Sequence, residues 1–262
     1  MFLHTFPQNP INAMSPLQTL RGAFTLSLAP LLTFLVSLFA LIDMLWGRRD
    51  EWKAQQFPRL WGRALCRLAG VRVRVEGLEH LEPGKTYIFA ANHASQYDIF
   101  AFQGYFPYDF RWLAKKELFR LPVFGRAMRR VGYIEVDRAN SREAMKSLDA
   151  AAARIRAGKS VLIFPEGTRS ADGRLRAFKG GAVLLAIKAG APLVPMGFSG
   201  SHQVLPKGHW LPQSGEIVLR VGRPIITEGL KAKDKQQLAD TLHQAVAELL
   251  DEAHQPLPET AE

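Results

Sequence analysis

The sequence predicts an α/β fold in which a largely parallel central sheet is flanked by helices and preceded by an N-terminal membrane-associated helical segment. Two observations lead to this prediction. From about Val71 onward, short apolar or alternating runs are separated by stretches with helical patterns, an order typical of a parallel sheet. Before Val71, residues 22–42 contain no charge and are long enough to cross a hydrocarbon core of ~30 Å as a helix.

The N-terminal region divides into two parts. Residues 1–16 carry turn formers without a clear period, and we expect a mobile leader there. Residues 17–69 are expected to form a membrane-anchoring helical region, with a kink at Pro30. A signal peptide and a buried globular helix are the alternatives, but the apolar run is long and no A-x-A-like cleavage site follows it. The sequence leaves open whether this run spans the bilayer or enters one leaflet.

The charges around the apolar run predict its orientation. Arg48, Arg49 and Lys53 follow it closely, whereas only Arg21 closely precedes it. The positive-inside rule therefore places the rest of the chain on the cytoplasmic face of the inner membrane. The next stretch, DEWKAQQFPRLWGRALCRLAG, mixes aromatic and basic residues and is typical of an interfacial amphipathic segment. An ordinary helix packed on the main domain is the alternative, and both can hold on different faces.

Residues 70–262 are expected to form the α/β domain, which ends in a C-terminal helix. Seven runs have the pattern of strands, in the order VRVRVEG, TYIFAA, FRWLA, VGYIEV, SVLIF, PLVPMGF and EIVLRVG. Helices are predicted for KKELFRLPVFGRAMRR, with a break near Pro122, for SREAMKSLDAAAARIRAG, with Ser141 as N-cap and Gly158 as stop, and for GGAVLLAIKAG. Residues 231–254 have the pattern of an amphipathic helix.

The composition favours an anionic partner. Lys and Arg number 34 against 24 Asp and Glu, which gives a formal net charge of +10. The sequence lacks zinc-ligand spacing and an aromatic RNA-binding strand, so we expect no nucleic acid and favour an anionic membrane surface or a phosphorylated small molecule. Cys66 is the only cysteine, and its helical context indicates a small core residue rather than a nucleophile.

The stretch NHASQYD follows the second predicted strand and places His93 five residues before Asp98. Functional sites of open α/β sheets lie beyond the carboxyl ends of strands. Ser95 is predicted to cap a following helix, with Asp98 at its third position and directed back toward His93. The carboxylate would then fix the imidazole tautomer and leave the other nitrogen as a base. The alternative is a capping box beside a structural histidine. A metal site is disfavoured, because no second histidine lies at helical spacing.

A second polar stretch, FPEGTR, follows the predicted strand SVLIF. Gly167 permits a tight turn with exposed N–H groups, as in anion-binding loops. Arg169 offers a planar fork for a phosphate, and Glu166 offers an acceptor for a hydroxyl. A surface turn with a Glu166–Arg169 ion pair is the alternative. Arg138, at the end of another predicted strand, is a further candidate for phosphate binding, unless it forms only a solvated pair with Asp137.

Together these stretches resemble the 1-acylglycerol-3-phosphate acyltransferase family. The four ordered blocks of that family correspond to Asn92-His93-x-Ser95-x-x-Asp98, to residues 132–138, to residues 164–169 and to Val194-Pro195-Met196. The first and third blocks match in full. Glu135 departs from the apolar pattern of the second block, and the fourth is short. The resemblance covers about residues 70–225.

The resemblance implies transfer of a fatty acyl group from an acyl thioester to the sn-2 hydroxyl of 1-acylglycerol 3-phosphate (lysophosphatidic acid), which makes phosphatidic acid. The acyl donor would be acyl-CoA or an acyl carrier protein, with no resident cofactor and no metal. His93 would act as general base without a covalent intermediate, oriented by Asp98. Arg138 and Arg169 would hold the acceptor phosphate. The other residues expected to bind substrate are Glu166, Gly167 and Thr168.

Several alternatives stay open beside this function. The acceptor can be another lysolipid, such as a lysophospholipid or a lyso-ornithine lipid. A lipid hydrolase is disfavoured because the sequence has no G-x-S-x-G motif. A catalytically silent membrane-binding module is disfavoured by the presence of both His93 and Asp98. An acyl-serine at Ser95 is the rival mechanism. Backbone N–H groups around Gly167 and the ammonium of Lys115 are the candidates for stabilising an oxyanion.

Overall fold

Seven strands form one sheet in the computed structural model, which describes residues 14–45, 55–137 and 141–256. The strands are β1 (Val71–Glu76), β2 (Ile88–Ala91), β3 (Arg111–Lys115), β4 (Ile134–Val136), β5 (Val161–Ile163), β6 (Leu193–Ser199) and β7 (Gly215–Val221). Their order across the sheet is β1-β7-β6-β2-β5-β3-β4. All pairs from β6 to β4 are parallel, whereas β7 is antiparallel to β6 and parallel to β1. The predicted fold class is confirmed.

Helices cover both faces of this sheet. Those within the described residues are α1 (Pro16–Leu45), α2 (Gln56–Ala69), α3 (Tyr97–Tyr105), α4 (Phe124–Arg130), α5 (Ser141–Arg156), α6 (Gly181–Ala189), α7 (Ser201–Val204) and α8 (Lys235–Ala247). The break predicted near Pro122 separates α4 from a 3-10 segment, Lys116–Arg120. The C-terminal helix is shorter than predicted, because the chain turns after Ala247 and buries Leu250 in the core.

The two faces of β2 contribute to two separate hydrophobic clusters. Phe89 and Ala91 pack with the aromatic side chains of α3, whereas Ile88 and Ala90 pack with α5, α6 and α8. All four side chains are fully buried, since a central parallel strand is covered on both faces. The ends of β2, β3, β4, β5 and β6 meet at one edge of the sheet because these strands are parallel, and we call it the carboxyl edge.

The N-terminal helix α1 is apolar and mostly exposed. It continues through Pro30 and contains the one segment of the described chain, Pro16–Asp43, that is long and apolar enough to cross a membrane. Its most apolar window has a mean hydropathy of 2.2, and only 17% of that window is buried. A core helix of a globular protein would be buried, so this exposure disfavours that alternative. The exposed side chains include Leu17, Leu20, Phe24, Leu31, Phe34 and Phe39.

The hydroxyl groups in the apolar part of α1 are satisfied within the helix. The hydroxyls of Thr25, Ser27, Thr33 and Ser37 each donate to the carbonyl oxygen four residues earlier, over 2.7–2.9 Å. Such bonds leave no hydroxyl that depends on water, which is the condition for placing a helix in lipid.

The helix α1 lies along the α/β domain over much of its length. The Arg21 guanidinium donates to the carbonyl oxygens of Arg67 and Leu68, at 2.9 and 2.7 Å, and so caps the end of α2. Farther along α1, the Thr33 hydroxyl accepts the indole N–H of Trp61 at 2.9 Å. These contacts hold α1 beside the domain at two positions along the helix.

The helix α2 connects α1 to the sheet, and its two faces differ as the sequence suggested. Leu65, Cys66 and Ala69 are buried against the sheet and α3, whereas 59% of Leu60 is exposed. Burial raises the pKa of the Cys66 thiol to about 12. The thiol is therefore protonated and unreactive at neutral pH, as the prediction of a core residue required.

Two glycines set the distance between α2 and α3. A Cβ on Gly62 would lie 2.6 Å from the Phe100 carbonyl oxygen and 2.7 Å from the Gly104 nitrogen. A Cβ on Gly104 would lie 2.7 Å from the Arg63 nitrogen. The two backbones are therefore in direct contact at this crossing, with no room for a side chain on either.

The variant Gly62→Ala is expected to lower the free energy of unfolding by about 1–3 kcal/mol, because the added methyl forces the two backbones apart. Helix propensity alone predicts the opposite, a gain of up to about 1 kcal/mol. Urea unfolding in detergent, followed by circular dichroism, distinguishes the two. Gly181→Ala is the matched control, since a Cβ there meets nothing within 4 Å. A stabilised Gly62→Ala variant would contradict the close crossing.

Candidate active site

His93 lies just beyond the end of β2, at the carboxyl edge of the sheet. The preceding Asn92 fixes this junction, since its side-chain amide donates to the Phe198 carbonyl at 3.0 Å and accepts the Phe198 N–H at 2.7 Å. The His93 carbonyl accepts the N–H of Ser170 at 2.7 Å. The Asn92 side chain is thus bound to β6, and the His93 backbone is bound to the segment that follows β5.

The His93 ring and Asp98 form a hydrogen-bonded pair. Nδ1 of His93 lies 2.8 Å from Oδ2 of Asp98. Because a carboxylate can only accept, Nδ1 carries the hydrogen, and in the neutral imidazole the lone pair is then on Nε2. The Asp98 side chain is fully buried, and 13% of the His93 side chain is exposed. Within the described part of the chain, Nε2 has no hydrogen-bond partner.

The same Asp98 oxygen also holds the loop that leads into α3. It accepts the N–H groups of Ala94 and Ser95, both at 2.8 Å. The prediction that Asp98 is the third helical residue was wrong by one position, because α3 begins at Tyr97. The Ser95 hydroxyl accepts the N–H of Tyr97 at 3.1 Å and donates to the Leu205 carbonyl at 2.9 Å, so the turn before the helix is one residue longer.

The FPEGTR stretch packs directly on His93. The Phe164 ring stacks on the imidazole, with centroids 3.9 Å apart and planes inclined by 10°. Oε1 of Glu166 accepts the His93 backbone N–H at 2.7 Å. Glu166 is only 3% exposed, and no ion pair joins it to Arg169 in the residues that the structure describes. The alternative of a surface turn with a Glu166–Arg169 pair is therefore wrong.

Glu166 has an unusual protonation equilibrium. Burial raises the pKa of its carboxyl to about 8, and the neighbouring Asp98 carboxylate adds to the rise. Hydrogen bonds from the His93 and Arg176 backbones, together with the charge of Arg176, lower the pKa in part. Its buried Oε2 has no hydrogen-bond partner among the described residues. At neutral pH the carboxyl is mostly protonated, so it can donate a hydrogen bond as well as accept one.

The turn after Glu166 is built around Gly167. Gly167 has φ +75°, a conformation that favours glycine, and its N–H donates to the Phe164 carbonyl at 3.0 Å. The Lys179 side chain lies beside it, since a Cβ on Gly167 would be within 3.2 Å of Nζ. Thr168 is exposed and Arg169 is partly buried. The turn thus brings an ammonium, a hydroxyl and a guanidinium to the carboxyl edge beside His93.

Arg138, the other residue predicted to bind phosphate, lies outside the described residues. The preceding Asp137 follows β4 and forms an ion pair with Lys116, which follows β3. Lys115, one of the candidates for stabilising an oxyanion, lines the cavity described next, and its ammonium lies 3.9 Å from Glu117. The ends of β3 and β4 therefore add further basic groups to the same edge.

An apolar cavity of about 440 Å³ opens beside His93. It lies between the N-terminal helices and the α/β domain, so α1 forms part of its wall. The lining includes Ala40, Trp61, His93, Phe100, Leu118, Ala127, Met128 and Phe164. Its polar groups bind one another, since Trp112 and Tyr133 both donate to the Gln103 side-chain oxygen, at 2.7 and 2.9 Å. The cavity therefore presents mostly carbon to whatever enters it.

Comparison with known proteins agrees with this architecture. The family model described as Acyltransferase matches residues 72–199. A 1-acyl-sn-glycerol-3-phosphate acyltransferase from Cocos nucifera is 30% identical over 226 residues, which cover 86% of this chain and 73% of that protein. The alpha form from Homo sapiens is 33% identical over 180 residues, or 68% of this chain and 64% of that one.

A solved structure gives the same result for the fold. The crystal structure of the 1-acyl-sn-glycerophosphate (LPA) acyltransferase PlsC from Thermotoga maritima superposes with a TM-score of 0.73 at 27% sequence identity, and covers 89% of this chain and 95% of that chain. The fold and the His93–Asp98 site define an acyltransferase. More particularly, the chain belongs to the 1-acyl-sn-glycerol-3-phosphate acyltransferase family.

Sequence reasoning gave no role to Asn92 or Phe164, although both stand in the motifs. Asn92 bridges β2 to β6 and Phe164 forms one wall of the imidazole site. The position of Phe164, at the end of a buried strand and two residues before Glu166, was the available signal. The stacking depends on β5 lying next to β2, which the sequence did not specify.

The variant Glu166→Gln is expected to make the protein's stability less dependent on pH. The pKa of Glu166 is about 8 in the folded chain, against an ordinary value of 4.5. Between these values the unfolded chain loses a proton that the folded chain keeps, so stability falls as pH rises. Gln cannot ionise and still offers an oxygen to the His93 N–H. Urea unfolding should therefore show Glu166→Gln gaining stability over the wild type from about pH 5 to about pH 8.

The control for this experiment is Asp172→Asn. Hydrogen bonding to Ser170 lowers the pKa of the Asp172 carboxyl, which therefore titrates below the window used. The free energy of unfolding of Asp172→Asn should differ from that of the wild type by a constant amount across that pH window. A Glu166→Gln difference that also stays constant would contradict the raised pKa of Glu166.

Proposed function

We propose that the protein transfers a fatty acyl group from an acyl thioester to the sn-2 hydroxyl of lysophosphatidic acid and so makes phosphatidic acid. One observation carries this proposal: His93 has Nδ1 bound to Asp98 and Nε2 available beside an apolar cavity and a basic turn. The site thus combines a proton acceptor, space for a hydrocarbon chain and cations for a phosphate. The relatives named for this reaction support the same choice of acceptor.

The chemistry follows from the tautomer of His93. A glycerol hydroxyl is a poor nucleophile at neutral pH, and it must lose its proton as it attacks the thioester carbonyl. Nε2 accepts that proton while Asp98 stabilises the imidazolium that forms, which is worth about 10²–10⁴-fold. The new ester bond forms as the carbon–sulfur bond breaks, and the thiolate of coenzyme A or acyl carrier protein takes up the proton. A thiolate leaves readily, so no covalent enzyme intermediate is needed.

The environment of Ser95 argues against the rival acyl-serine mechanism. Its hydroxyl is fully buried, donates to the Leu205 carbonyl and accepts the Tyr97 N–H. A nucleophilic serine would instead donate to Nε2 of His93. Both hydrogen-bonding functions of Ser95 are therefore used to shape the loop.

The acceptor phosphate is assigned to the basic groups of the carboxyl edge. The Arg169 guanidinium makes no hydrogen bond or ion pair with another residue of the described ranges, so it is available to a phosphate. Arg138 is assigned a share in this role, as the family motif implies. Glu166 and Thr168 would shape the glycerol site. A lysophospholipid or a lyso-ornithine lipid is the alternative acceptor. The available Arg169 guanidinium favours the phosphate monoester.

The acyl chain is assigned to the apolar cavity. Its volume of about 440 Å³ falls within the range of ordinary ligand pockets, about 300–1,000 Å³. A chain that enters beside His93 meets apolar side chains of α1, α3 and α4, and its thioester end stays at the imidazole. The side chains of Gln103 and Tyr133 form a polar group in the wall, which a hydrocarbon chain would not displace.

The exposed face of α1 is assigned to one leaflet of the cytoplasmic membrane. The contacts of Arg21 and Thr33 keep α1 against the domain, and a helix that crossed the bilayer would lose them. A position within the leaflet places the carboxyl edge at the surface where lysolipids lie. The net charge of +10 favours an anionic, cytoplasmic surface.

The variant His93→Ala is expected to lower the rate of acyl transfer by about 10²–10⁴-fold, since it removes the proton acceptor. Purified protein would be assayed with acyl-CoA and acyl carrier protein donors against a panel of lysolipids. The matched control is His243→Ala, which removes a partly buried histidine on α8. Near-normal turnover of His93→Ala would overturn the assignment. Fatty acid released without acceptor would indicate a hydrolase, and a burst with donor alone would indicate an acyl-serine.

The variant Ala127→Phe is expected to shift donor preference toward shorter acyl chains. Ala127 is 6% exposed and lines the cavity from α4, so a phenyl ring there occupies space that a long chain needs. The ratio of kcat/KM values for a short and a long acyl-CoA measures the change. Because both values come from the same preparation, the ratio does not depend on the fraction of folded enzyme. An unchanged ratio with reduced stability would show that the chain lies elsewhere.

A further inference from the structure

The loop that joins α7 to β7, residues 205–214, exposes an apolar side chain that the reaction does not use. Trp210 and Leu17 are each 76% exposed, more than any other large apolar side chain of the described residues. Gly208 has φ +92°, and the His209 N–H donates to the Pro206 carbonyl at 3.1 Å. This tight turn displays Trp210 next to the exposed Lys207 and His209.

Two motifs of the carboxyl edge and the helix α1 hold the loop in place. Its first residue, Leu205, accepts the Ser95 hydroxyl, and the Gln213 N–H closes its base on the Val204 carbonyl at 2.8 Å. The Lys207 ammonium donates to the Arg169 carbonyl at 3.0 Å. The loop is therefore bound to both the His93 motif and the Arg169 turn.

The third point of attachment is α1. Gly22 packs so closely on the loop that an added Cβ would lie 2.8 Å from the Pro212 carbonyl oxygen and 3.4 Å from Cβ of Leu211. Leu17 and Leu20, 76% and 69% exposed, lie within about two turns of Gly22 on α1. The loop that carries Trp210 thus touches α1 within about two turns of these exposed side chains.

We propose that loop 205–214 is a second membrane contact, which places Trp210 in the headgroup region of an anionic leaflet and sets the depth of the Arg169 turn. The proposal rests on the proposed membrane position of α1. Trp is the residue type enriched at membrane interfaces, and Lys207 adds a cation at the same level. Because Lys207 is bonded to Arg169, the membrane contact and the acceptor site move together.

The contact with α1 favours lipid over a protein partner as the occupant. The loop that carries Trp210 touches α1 at Gly22, so a partner that covers the exposed side of α1 lies close to this loop. A bilayer offers such an extended surface with an apolar interior and a polar boundary. Self-association through Trp210 would leave the adjacent face of α1 uncovered.

Tryptophan fluorescence tests the location of Trp210. Full-length protein and Trp210→Phe would be incorporated into preformed phosphatidylglycerol–phosphatidylcholine vesicles, and the difference between their spectra gives the emission of Trp210. We expect this emission to be quenched by lipids brominated near the headgroup and protected from aqueous iodide. Equal iodide quenching with and without vesicles would overturn the proposal. Protection of Trp210 from iodide that appears without lipid and depends on protein concentration would indicate self-association. That result would also overturn the proposal.

Activity tests the role of the contact in substrate access. Trp210→Ala is expected to lower kcat/KM for lysophosphatidic acid in vesicles by roughly tenfold, as loss of one buried aromatic contact would. The rate with a short-chain lysophosphatidic acid, dissolved as monomers, should not change, because Trp210 touches no reacting group. Ile226→Ala is the matched control, since Ile226 is 62% exposed. It lies far from the carboxyl edge, because the preceding residue, Ile225, pairs with the first residue of β6.

The outcomes separate this proposal from the proposed function. Suppose that the wild type acylates lysophosphatidic acid and that Trp210→Ala lowers kcat/KM equally for vesicle-bound and monomeric substrate. The membrane role of Trp210 is then overturned and the proposed function stands. If the wild type fails to acylate lysophosphatidic acid, the function fails, and the fluorescence experiment still decides where Trp210 lies.

Discussion

One oxygen atom, Oδ2 of Asp98, organises the candidate active site, because it accepts hydrogen bonds from the His93 ring and from two backbone N–H groups. A buried carboxylate without such donors would be strongly unfavourable. Its position in the first turn of α3 adds the favourable field of the helix N-terminus. The same atom therefore sets the path of the chain from β2 into α3 and the orientation of the imidazole, so neither can change without the other.

The second carboxyl group of the site has a different environment and serves a different purpose. Glu166 holds the His93 backbone rather than the ring, and its raised pKa leaves it mostly neutral near pH 7. Charge repulsion from Asp98 adds to the effect of burial and favours the neutral form of Glu166. Phe164 completes the arrangement by covering one face of the imidazole. The imidazole of His93 is thus held by Asp98 at the ring, by Glu166 at the backbone and by the Phe164 ring at one face.

Much of the fold could be predicted because strand patterns are local. Seven short runs gave the strands, and their ends gave the positions of His93 and Glu166. The start of α3 could not be predicted, because Ser95 is held by Leu205, 110 residues away in the chain. The cavity could not be predicted either, since its walls come from α1 and α4 and exist only when these helices meet. Contacts between distant segments depend on strand order, which the pattern of apolar residues does not encode.

The position of β1 has a consequence for the order in which the protein assembles. β1 is an edge strand whose partner is β7, and the Glu76–Arg220 pair that joins them spans 144 residues. At ordinary rates of translation, roughly 10 s separate the synthesis of these strands. The apolar helix α1 leaves the ribosome before either of them, with its hydroxyls already able to bond within the helix. It is therefore available to lipid while the sheet is incomplete.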